Sequence, residues 1–474
     1  MKNYSIWEEE IKKDGKKLDK DIEVDILIIG GGITGISTAY HLKDSNLKIC
    51  LVERNNIGMG VTSKTTGKLT FLQEIIYSKI KPLKNSKLYY QSQKEAIKIV
   101  EKIVKENNIE CNYEKVDSYV YTDLEKEIKK IDKEIDTLKK FNVKVFETNE
   151  LPNGIKFEKV FYVSDTAIFH PIKYLNGIKK IIEKNINIYE NTNILKMNKC
   201  DDGYECITKK YKIRAKKVVL ATHYPYFLLP YFFPLKAYLE KSYICANKVN
   251  KTYDFSSITS SKPTKSLRYH DNKYEIFLTN SHNLCVKNNE KDNFERLIDS
   301  NYIWSNKDIM TIDSLPYIGY IDDNLLLGTG YNTWGMTNGT IAGKILSDLV
   351  LNKQNKYKEL FDPKRSFGIE KFINYPLILG SNMKSYIGSK INKNKSWYQN
   401  VVFKKRNGED VAIYKDEDNK EHIVYNKCPH LKCGLIFNEI EKTWDCPCHG
   451  SRFDIDGKCI EGPSNYDITY IDNE

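Results

Sequence analysis

The sequence predicts an α/β nucleotide-binding domain of the Rossmann type, an α+β domain interleaved with it, and a small all-β domain at the carboxyl end. Three observations support this organisation. A strand, a glycine-rich turn and a helix follow one another within residues 24–54. Short strands alternate with tight turns after a polar stretch at 351–395, and five of the eleven cysteines lie beyond residue 427. A chain of 474 residues is also too long for one compact core.

The composition excludes several classes of protein. The net charge of +11 comes from 74 basic and 63 acidic residues that are interspersed, without the basic stripe and interleaved aromatic residues that bind nucleic acid. The amino terminus lacks the apolar segment of a secretory signal, and no run of about 18 apolar residues could span a membrane. Clustered cysteines indicate a local metal site rather than a secreted disulfide framework. We therefore expect a cytoplasmic protein with no nucleic-acid partner.

The segment VDILIIGGGITGISTAYHL carries the G-x-G-x-x-G spacing at Gly30, Gly32 and Gly35. In this pattern the first glycine makes a tight turn, the second lets the backbone approach a pyrophosphate, and the third lets the helix pack on the strand. Free N–H groups at the helix N-terminus favour the anion. Glu53 ends the second strand, where an acid binds ribose hydroxyls. The segment therefore predicts a bound dinucleotide.

Periodicity and composition place the remaining elements. Residues 122–141 have the apolar period of a helix, residues 215–223 form a buried strand, and a second glycine-rich turn precedes a helix that starts near Met336. The predicted domains are an N-terminal extension at 1–20, a discontinuous nucleotide-binding domain at 21–80, 150–225 and 306–350, a substrate domain at 81–149 and 226–305, a linker at 351–395, and the all-β domain at 396–474.

The pattern C-x-H-x15-C-x2-H is formed by Cys428, His430, Cys446 and His449. Two short loops that each give one thiolate and one imidazole are the arrangement of a Rieske [2Fe–2S] centre, in which two cysteines bind one iron and two histidines bind the other. A Cys2His2 zinc site uses the same residue types. Its usual spacing, a C-x2-4-C pair followed by an H-x3-5-H pair, is absent here.

Cys433 and Cys448 remain, one in each loop. A disulfide between them would pin the loops together over the cluster, although such bonds are unusual in the cytosol. The alternative is ligation by Cys448 instead of Cys446. That choice would make the thiolate and His449 direct neighbours, and adjacent residues have difficulty pointing at different irons. We therefore expect four ligands and one disulfide.

The segments CPHLKCG, WDCPCHGSRFD and EGP around these residues resemble Rieske proteins. The preceding part of the chain resembles the FAD oxidoreductases related to D-amino acid oxidase and glycine oxidase, and the whole looks like the bacterial members with a fused Rieske domain. This resemblance implies FAD, a discontinuous FAD-binding domain and an interleaved substrate domain. The segments that carry it are DILIIGGGITGISTAYHL, SKTTGKLT, FHP, VVLATHYP, WSNKDIMTIDSLPYIG and GTGYNTWGMTNGT.

Position by position, the resemblance implies four groups of FAD contacts. A helix N-terminus close to the flavin ring would also stabilise the reduced, anionic flavin. The ADP half contacts Gly30, Gly32, Gly35, Glu53 and Arg54; the pyrophosphate and ribityl side contacts Thr62, Ser63, Thr65 and Thr66; the adenine and nucleotide contact Ile194, Ala221 and Thr222; and the flavin ring contacts Gly330, Gly335, Met336 and Thr337.

There are two candidate catalytic residues, Arg268 and His223. Arg268 could clamp a substrate carboxylate, with a surface arginine as the alternative interpretation. His223, in ATHYP, lies nearest to the expected cofactor among three candidates that include His170 and His270, each of which is also compatible with a structural role.

The fused cluster predicts a dehydrogenase acting on the C–N bond of an amine or amino acid. It would pass electrons one at a time from reduced FAD to the Rieske cluster and on to an external one-electron carrier, because an oxidase that discharges to oxygen needs no iron–sulfur relay. Two alternatives stay open: a non-catalytic redox relay or sensor, and a reductase that receives electrons through the cluster. The β-rich insertion favours an enzyme, since a relay has no use for a substrate chamber.

Ser451 and Phe453 set an expectation for the cluster's reduction potential. The Ser451 hydroxyl can donate to a sulfur, but Phe453 stands where the high-potential respiratory Rieske proteins carry a tyrosine, so one hydrogen bond is missing. We expect a midpoint potential in the middle of the Rieske range of about −150 to +300 mV. A redox titration followed by EPR measures it, and a value near the respiratory maximum would contradict the prediction.

Overall fold

The computed structural model describes residues 2–225, 236–284, 290–366 and 400–471. Two large sheets and their helices form the main body of the chain, and two small sheets form the carboxyl-terminal domain. Most of the predicted linker at 351–395 lies outside the described residues.

The first large sheet has eight strands and is mainly parallel in its centre. Its main path runs β16–β17–β10–β1–β2–β7, and β1 pairs in parallel with both β10 and β2. The carboxyl ends of these strands therefore meet at one edge, where an α/β sheet binds its ligand. The strands are β1 (Ile22–Ile29), β2 (Ile49–Val52), β7 (Asn187–Tyr189), β8 (Lys196–Cys200), β9 (Gly203–Ile207), β10 (Lys212–Leu220), β16 (Tyr317–Asp322) and β17 (Leu325–Thr329).

The second large sheet has nine strands and forms the interleaved domain. Its main path runs β15–β11–β14–β13–β12–β4–β6–β3. It takes strands from ranges predicted for the nucleotide-binding domain, β3 from 21–80 and β6 from 150–225, because long-range pairing decides which sheet a strand joins. The strands are β3 (Lys68–Leu69), β4 (Glu114–Thr122), β5 (Phe146–Glu147), β6 (Lys159–Ile168), β11 (Ala237–Lys248), β12 (Phe255–Thr259), β13 (Ser266–His270), β14 (Tyr274–Asn283) and β15 (Tyr302–Thr311).

Two predicted helices are confirmed. The apolar period predicted a helix within 122–141, and the structure has α3 there with its apolar face buried. The helix predicted to start near Met336 is α6. In the described residues no helix is long and apolar enough to cross a membrane. The helices are α1 (Ile33–Leu42), α2 (Leu83–Glu106), α3 (Ile128–Lys140), α4 (Pro171–Ile182), α5 (Glu290–Glu295), α6 (Gly335–Val350) and α7 (Lys358–Phe361).

The carboxyl-terminal domain is all-β, as predicted. It has a core of its own, in which Trp444 and Phe453 are fully buried. One cysteine–histidine loop follows β20 and the other lies between β22 and β23. The strands are β18 (Val401–Arg406), β19 (Glu409–Lys415), β20 (Glu421–Tyr425), β21 (Ile436–Asn438), β22 (Thr443–Asp445), β23 (Arg452–Asp454) and β24 (Cys459–Glu461).

A buried group of charges joins this domain to β11 and β15. We call it the ionic seam, made of Lys241, Lys307, Glu441, Asp445 and Arg452. Both lysine ammonium groups lie 3.6 Å from an Asp445 carboxylate oxygen. The Arg452 guanidinium lies 2.7 Å from Glu441 and 3.1 Å from Asp445. Since all five side chains are nearly excluded from water, their charges depend on one another.

Replacing Arg452 with methionine should destabilise the carboxyl-terminal domain strongly. The change leaves the Glu441 and Asp445 carboxylates buried with less opposite charge, which costs about 3–5 kcal/mol in comparable sites. Urea unfolding followed by tryptophan fluorescence measures the loss.

Arg214→Met is the matched control, because Arg214 forms only surface pairs with Glu23 and Glu205 and its side chain is 67% exposed. Equal unfolding midpoints for the two variants would mean that the seam adds no stability.

Candidate cofactor sites

The glycine-rich turn has the geometry that its sequence predicts. Gly30 adopts a φ of 113°, and a Cβ there would lie 2.5 Å from the Ala221 carbonyl oxygen. A Cβ on Gly35 would lie 1.9 Å from the Gly30 carbonyl oxygen. Both positions therefore exclude a side chain, the first by conformation and contact and the second by contact with the turn.

This turn opens into a large cavity, which we call the nucleotide cavity. The space between its walls, including the part open to solvent, is about 1220 Å³. At the N-terminus of α1 the Ile33 N–H donates to the Thr62 hydroxyl at 3.1 Å. Among the described residues no side chain of the capping residue Gly32 satisfies the other N–H groups of this first turn, so they are available to an anion. The turn and these N–H groups therefore fit the pyrophosphate of a dinucleotide. The predicted residues that line the cavity are Gly30, Gly32, Glu53, Arg54, Thr62, Thr65, Ile194, Ala221, Thr222, Gly335 and Met336.

The other predicted cofactor residues lie nearby without lining this cavity. Thr66 and Thr337 line a neighbouring cavity, which also includes Thr65, Gly335 and Met336. We call it the second cavity.

Three predicted residues line neither cavity. Gly35 packs beneath the turn, as described. The Ser63 hydroxyl donates to the Gly60 carbonyl oxygen at 3.0 Å. Gly330 adopts a φ of 75° before α6. These three residues support the backbone near the cavities and do not line either cavity.

Glu53 and Arg54 line the nucleotide cavity, and their side chains also make hydrogen bonds within the protein that the sequence did not predict. The two Glu53 carboxylate oxygens accept hydrogen bonds from the backbone N–H groups of Gly31 at 2.7 Å and Asn55 at 2.8 Å. Each oxygen can accept a second bond, so a ribose contact stays possible. The Arg54 guanidinium instead donates to the sulfur of Cys459 at 3.0 Å, in the carboxyl-terminal domain. This hydrogen bond joins the carboxyl-terminal domain to a residue that lines the nucleotide cavity.

Arg268 does not lie where a substrate carboxylate could reach it. Its side chain is fully buried and lines neither cavity. The guanidinium donates to the carbonyl oxygens of Gly67 at 2.8 Å, Phe169 at 3.0 Å and Tyr269 at 2.9 Å. The predicted clamp is therefore corrected: Arg268 anchors the loop that precedes β3.

Of the three candidate histidines, only His223 lines the nucleotide cavity. Its Nε2 lies 2.9 Å from the Lys307 carbonyl oxygen and therefore carries the proton, which leaves Nδ1 as an acceptor. Burial lowers the pKa of His223 below its ordinary value, so the ring is neutral. His170 and His270 pack against the Trp7 ring with centroids 4.7 and 4.8 Å away, which is a structural role.

The four predicted cluster ligands come together at one end of the carboxyl-terminal domain. The Cys428 and Cys446 side chains are buried, and the His430 and His449 rings have centroids 5.0 Å apart. The Nε2 of His430 and the Nδ1 of His449 are buried and have no hydrogen-bond partner within the described part of the chain. Buried polar atoms are rarely left unpaired, so these residues fit a metal centre.

Cys433 and Cys448 are bonded to each other and bridge the two loops, as predicted. The sulfurs of Cys433, Cys446 and Cys448 lie within 4.8 Å of one another. Because two of them form the disulfide, only Cys446 of these three can act as a thiolate. The Ser451 oxygen accepts a hydrogen bond from Ser464 N–H at 2.9 Å, which leaves the Ser451 proton for a sulfur.

The cluster end of the carboxyl-terminal domain forms part of the nucleotide cavity. Its residues 460–462 line that cavity, and the ring of cavity-lining Tyr224 lies 6.2 Å from the ring of His449. Sequence reasoning missed these wall residues, together with Asn306 and Asp308 of β15. Asn306 and Asp308 lie in the quoted segment WSNKDIMTIDSLPYIG, but only the folded chain shows that they face a cavity.

Comparison with known proteins matches both parts of the chain. The model of the FAD dependent oxidoreductase family matches residues 25–349, and that of the Rieske [2Fe-2S] domain matches residues 391–471. The Bacillus subtilis chain named Rieske 2Fe-2S iron-sulfur protein YhfW is 32% identical over 96% of this chain and 94% of its own length.

More distant similarities cover the part of the chain before the Rieske domain. The gamma-glutamylputrescine oxidoreductase of Escherichia coli is 21% identical over 72% of this chain and 86% of its own. The solved structure of glycine oxidase from Geobacillus kaustophilus superposes with a TM-score of 0.63 at 16% identity, over 73% of this chain and 100% of its own. That structure shares the fold.

Two sets of variants distinguish the ligands from the disulfide. Cys446→Ser should abolish the Rieske EPR signal, with iron and acid-labile sulfide lost, because no other free thiolate is available on that loop. The double variant C433A/C448A should keep the signal while the domain loses about 2–4 kcal/mol of stability. Cys200→Ser, at an exposed free cysteine, is the control. If the double variant loses the signal and Cys446→Ser keeps it, the ligand assignment is wrong.

Proposed function

This chain belongs to the FAD dependent oxidoreductase family and ends in a Rieske [2Fe–2S] domain, and on that premise we propose that it oxidises the C–N bond of a small amine or amino acid. The electrons would leave one at a time through the cluster to an external carrier. FAD, when bound, accepts two electrons from an organic substrate, and the [2Fe–2S] cluster accepts one.

The position of the cluster carries this proposal. The Tyr224 ring lines the nucleotide cavity and packs edge to face on the ring of His449, a predicted iron ligand. Residues 460–462 of the same domain also line the cavity. A cluster held by these ligands would therefore lie beside the cavity wall, where it could accept electrons from a bound flavin.

Lys307 makes hydrogen bonds both to the loop that carries His449 and to the cavity-lining His223. Its ammonium donates to the Gly450 carbonyl oxygen at 3.0 Å, next to His449. Its own carbonyl oxygen accepts the Nε2 proton of His223. One residue thus positions the cluster loop and the cavity histidine relative to each other. His223 is a candidate proton acceptor, through its free Nδ1, when the substrate nitrogen loses a proton.

The second cavity supports an enzyme over a relay. The space between its walls, including the part open to solvent, is about 560 Å³. It shares Thr65, Thr333, Gly335 and Met336 with the nucleotide cavity. The names of the relatives, glycine oxidase and gamma-glutamylputrescine oxidoreductase, favour a substrate with an oxidisable C–N bond.

Anaerobic titration of the holoenzyme with amines and amino acids tests the proposal. We expect at least one compound to bleach the flavin absorbance while the Rieske EPR signal grows in step. If dithionite reduces both centres but no compound does, the relay or reductase alternatives take the place of this proposal.

The Cys446→Ser variant is the control for the electron path. It should still bleach with substrate but should no longer reduce an added one-electron acceptor at the rate of the unaltered enzyme. Rapid, stoichiometric peroxide formation in air by the unaltered enzyme would instead indicate an oxidase.

A further inference from the structure

One face of the β11–β15 pair carries a row of polar side chains that the proposed function does not use. In this antiparallel pair Glu240 lies opposite Asp308, and Ser242 lies opposite Asn306. Side chains alternate between the two faces of a sheet, so these four residues share one face. The intervening pair, Lys241 opposite Lys307, belongs to the ionic seam on the other face.

This polar face spans both cavities. Asn306 and Asp308 line the nucleotide cavity, and Glu240 and Ser242 line the second cavity. Glu74 adds a further carboxylate to the second cavity. We call Glu74, Glu240 and Asp308, with Ser242 and Asn306, the acidic face.

The charges of the acidic face are poorly balanced by the protein itself. Like charges directly opposite on neighbouring strands destabilise a sheet. Burial, with the charges of Glu240 and Glu461, raises the pKa of Asp308 to about 7. In the described part of the chain, no lysine or arginine lies within ion-pair distance of Glu74 or Asp308. Among the described residues, the ion-pair partner of Glu240 is Lys262, at 3.6 Å, whose side chain is 59% exposed.

Lys68, the cation of the second cavity, is already engaged elsewhere. Its ammonium donates to the Ser257 carbonyl oxygen at 2.8 Å and to the Ser266 hydroxyl. Burial and the nearby Arg268 lower the pKa of Lys68 to about 7, so its positive charge is partly lost at neutral pH. Lys68 interacts electrostatically with Glu74, but in the described residues its ammonium lies within ion-pair distance of no carboxylate.

Two unpaired polar atoms on the same face point independently to a ligand. The Ser242 hydroxyl and the Asn306 carbonyl oxygen Oδ1 have no hydrogen-bond partner among the residues that the structure describes, and the two residues are only 4% and 6% exposed. Leaving such atoms unpaired costs about 1–3 kcal/mol each. Both can accept a hydrogen bond from an N–H group. Glu74 has a φ of 55°, an uncommon value for a residue other than glycine, and such backbone strain clusters at functional sites.

We infer that the acidic face binds a cationic nitrogen group of the substrate, an ammonium, other than the nitrogen at the oxidised bond. Carboxylates stabilise a nitrogen in its protonated form, whereas oxidation of a C–N bond requires a free lone pair on the nitrogen. The nitrogen held by this face is therefore not the reacting one. The substrate class becomes a diamine or polyamine, and its oxidation, though not its binding, rests on the proposed function.

Matched series of ligands test this inference on the holoenzyme. Linear α,ω-diamines of increasing length are each compared with the monoamine and the ω-amino acid of the same length. Dissociation constants are measured anaerobically by isothermal titration calorimetry and by perturbation of the flavin spectrum. We expect the best diamine to bind about ten-fold or more tightly than its monoamine, from one hydrogen-bonded ion pair. The ω-amino acid should bind more weakly than either.

Variants locate the effect on the acidic face. Glu74→Gln and Glu240→Gln should each remove most of the preference for the diamine while leaving monoamine binding within about two-fold, since glutamine keeps the size and shape of glutamate and removes only its negative charge. Glu275→Gln, on the neighbouring strand β14, should keep the full preference.

The outcomes separate this inference from the proposed function. If a diamine binds preferentially but no compound bleaches the flavin, the binding inference stands and the proposed oxidation falls. If an ω-amino acid or a monoamine binds as tightly as its diamine and bleaches the flavin, the proposed oxidation stands and this inference is wrong.

Discussion

The ionic seam is the constraint on which the arrangement of the two cofactor domains depends. Lys241 and Lys307 lie directly opposite each other on β11 and β15, and both are buried. Two buried like charges in this position would destabilise the sheet without opposite charge. Asp445 of the Rieske domain lies 3.6 Å from both ammonium groups, and Arg452 and Glu441 complete the network. Docking of the Rieske domain on the substrate-domain sheet therefore depends on these opposite charges.

The same two strands separate two environments of opposite charge. Residues 241 and 307 present cations to the Rieske domain, while their neighbours, residues 240 and 308, present carboxylates to the cavities. This is possible because successive side chains along a strand point to opposite faces of the sheet. At β11 and β15 the ionic seam and the acidic face are thus separated by the thickness of one sheet.

The Rieske domain also completes the nucleotide cavity. Its residues 460–462 line the wall, and Arg54, placed immediately after the second strand of the nucleotide-binding motif, donates to the Cys459 sulfur. The edge-to-face contact between Tyr224 and His449, with ring centroids 6.2 Å apart, depends on this docking of the domain.

Much of this protein was determined by local sequence. The glycine turn, the apolar period of α3, the two cysteine–histidine loops and the disulfide, whose cysteines are 15 residues apart, all depend on near neighbours in the chain. The tertiary structure decided the rest. Arg268 anchors a loop 201 residues away, and Asn306 and Asp308 acquire a role only when β15 is laid beside β11. The physical reason is distance along the chain: turn geometry and ligand spacing are set by adjacent residues, whereas the identity of a buried cation's partner is set by which remote strands pair.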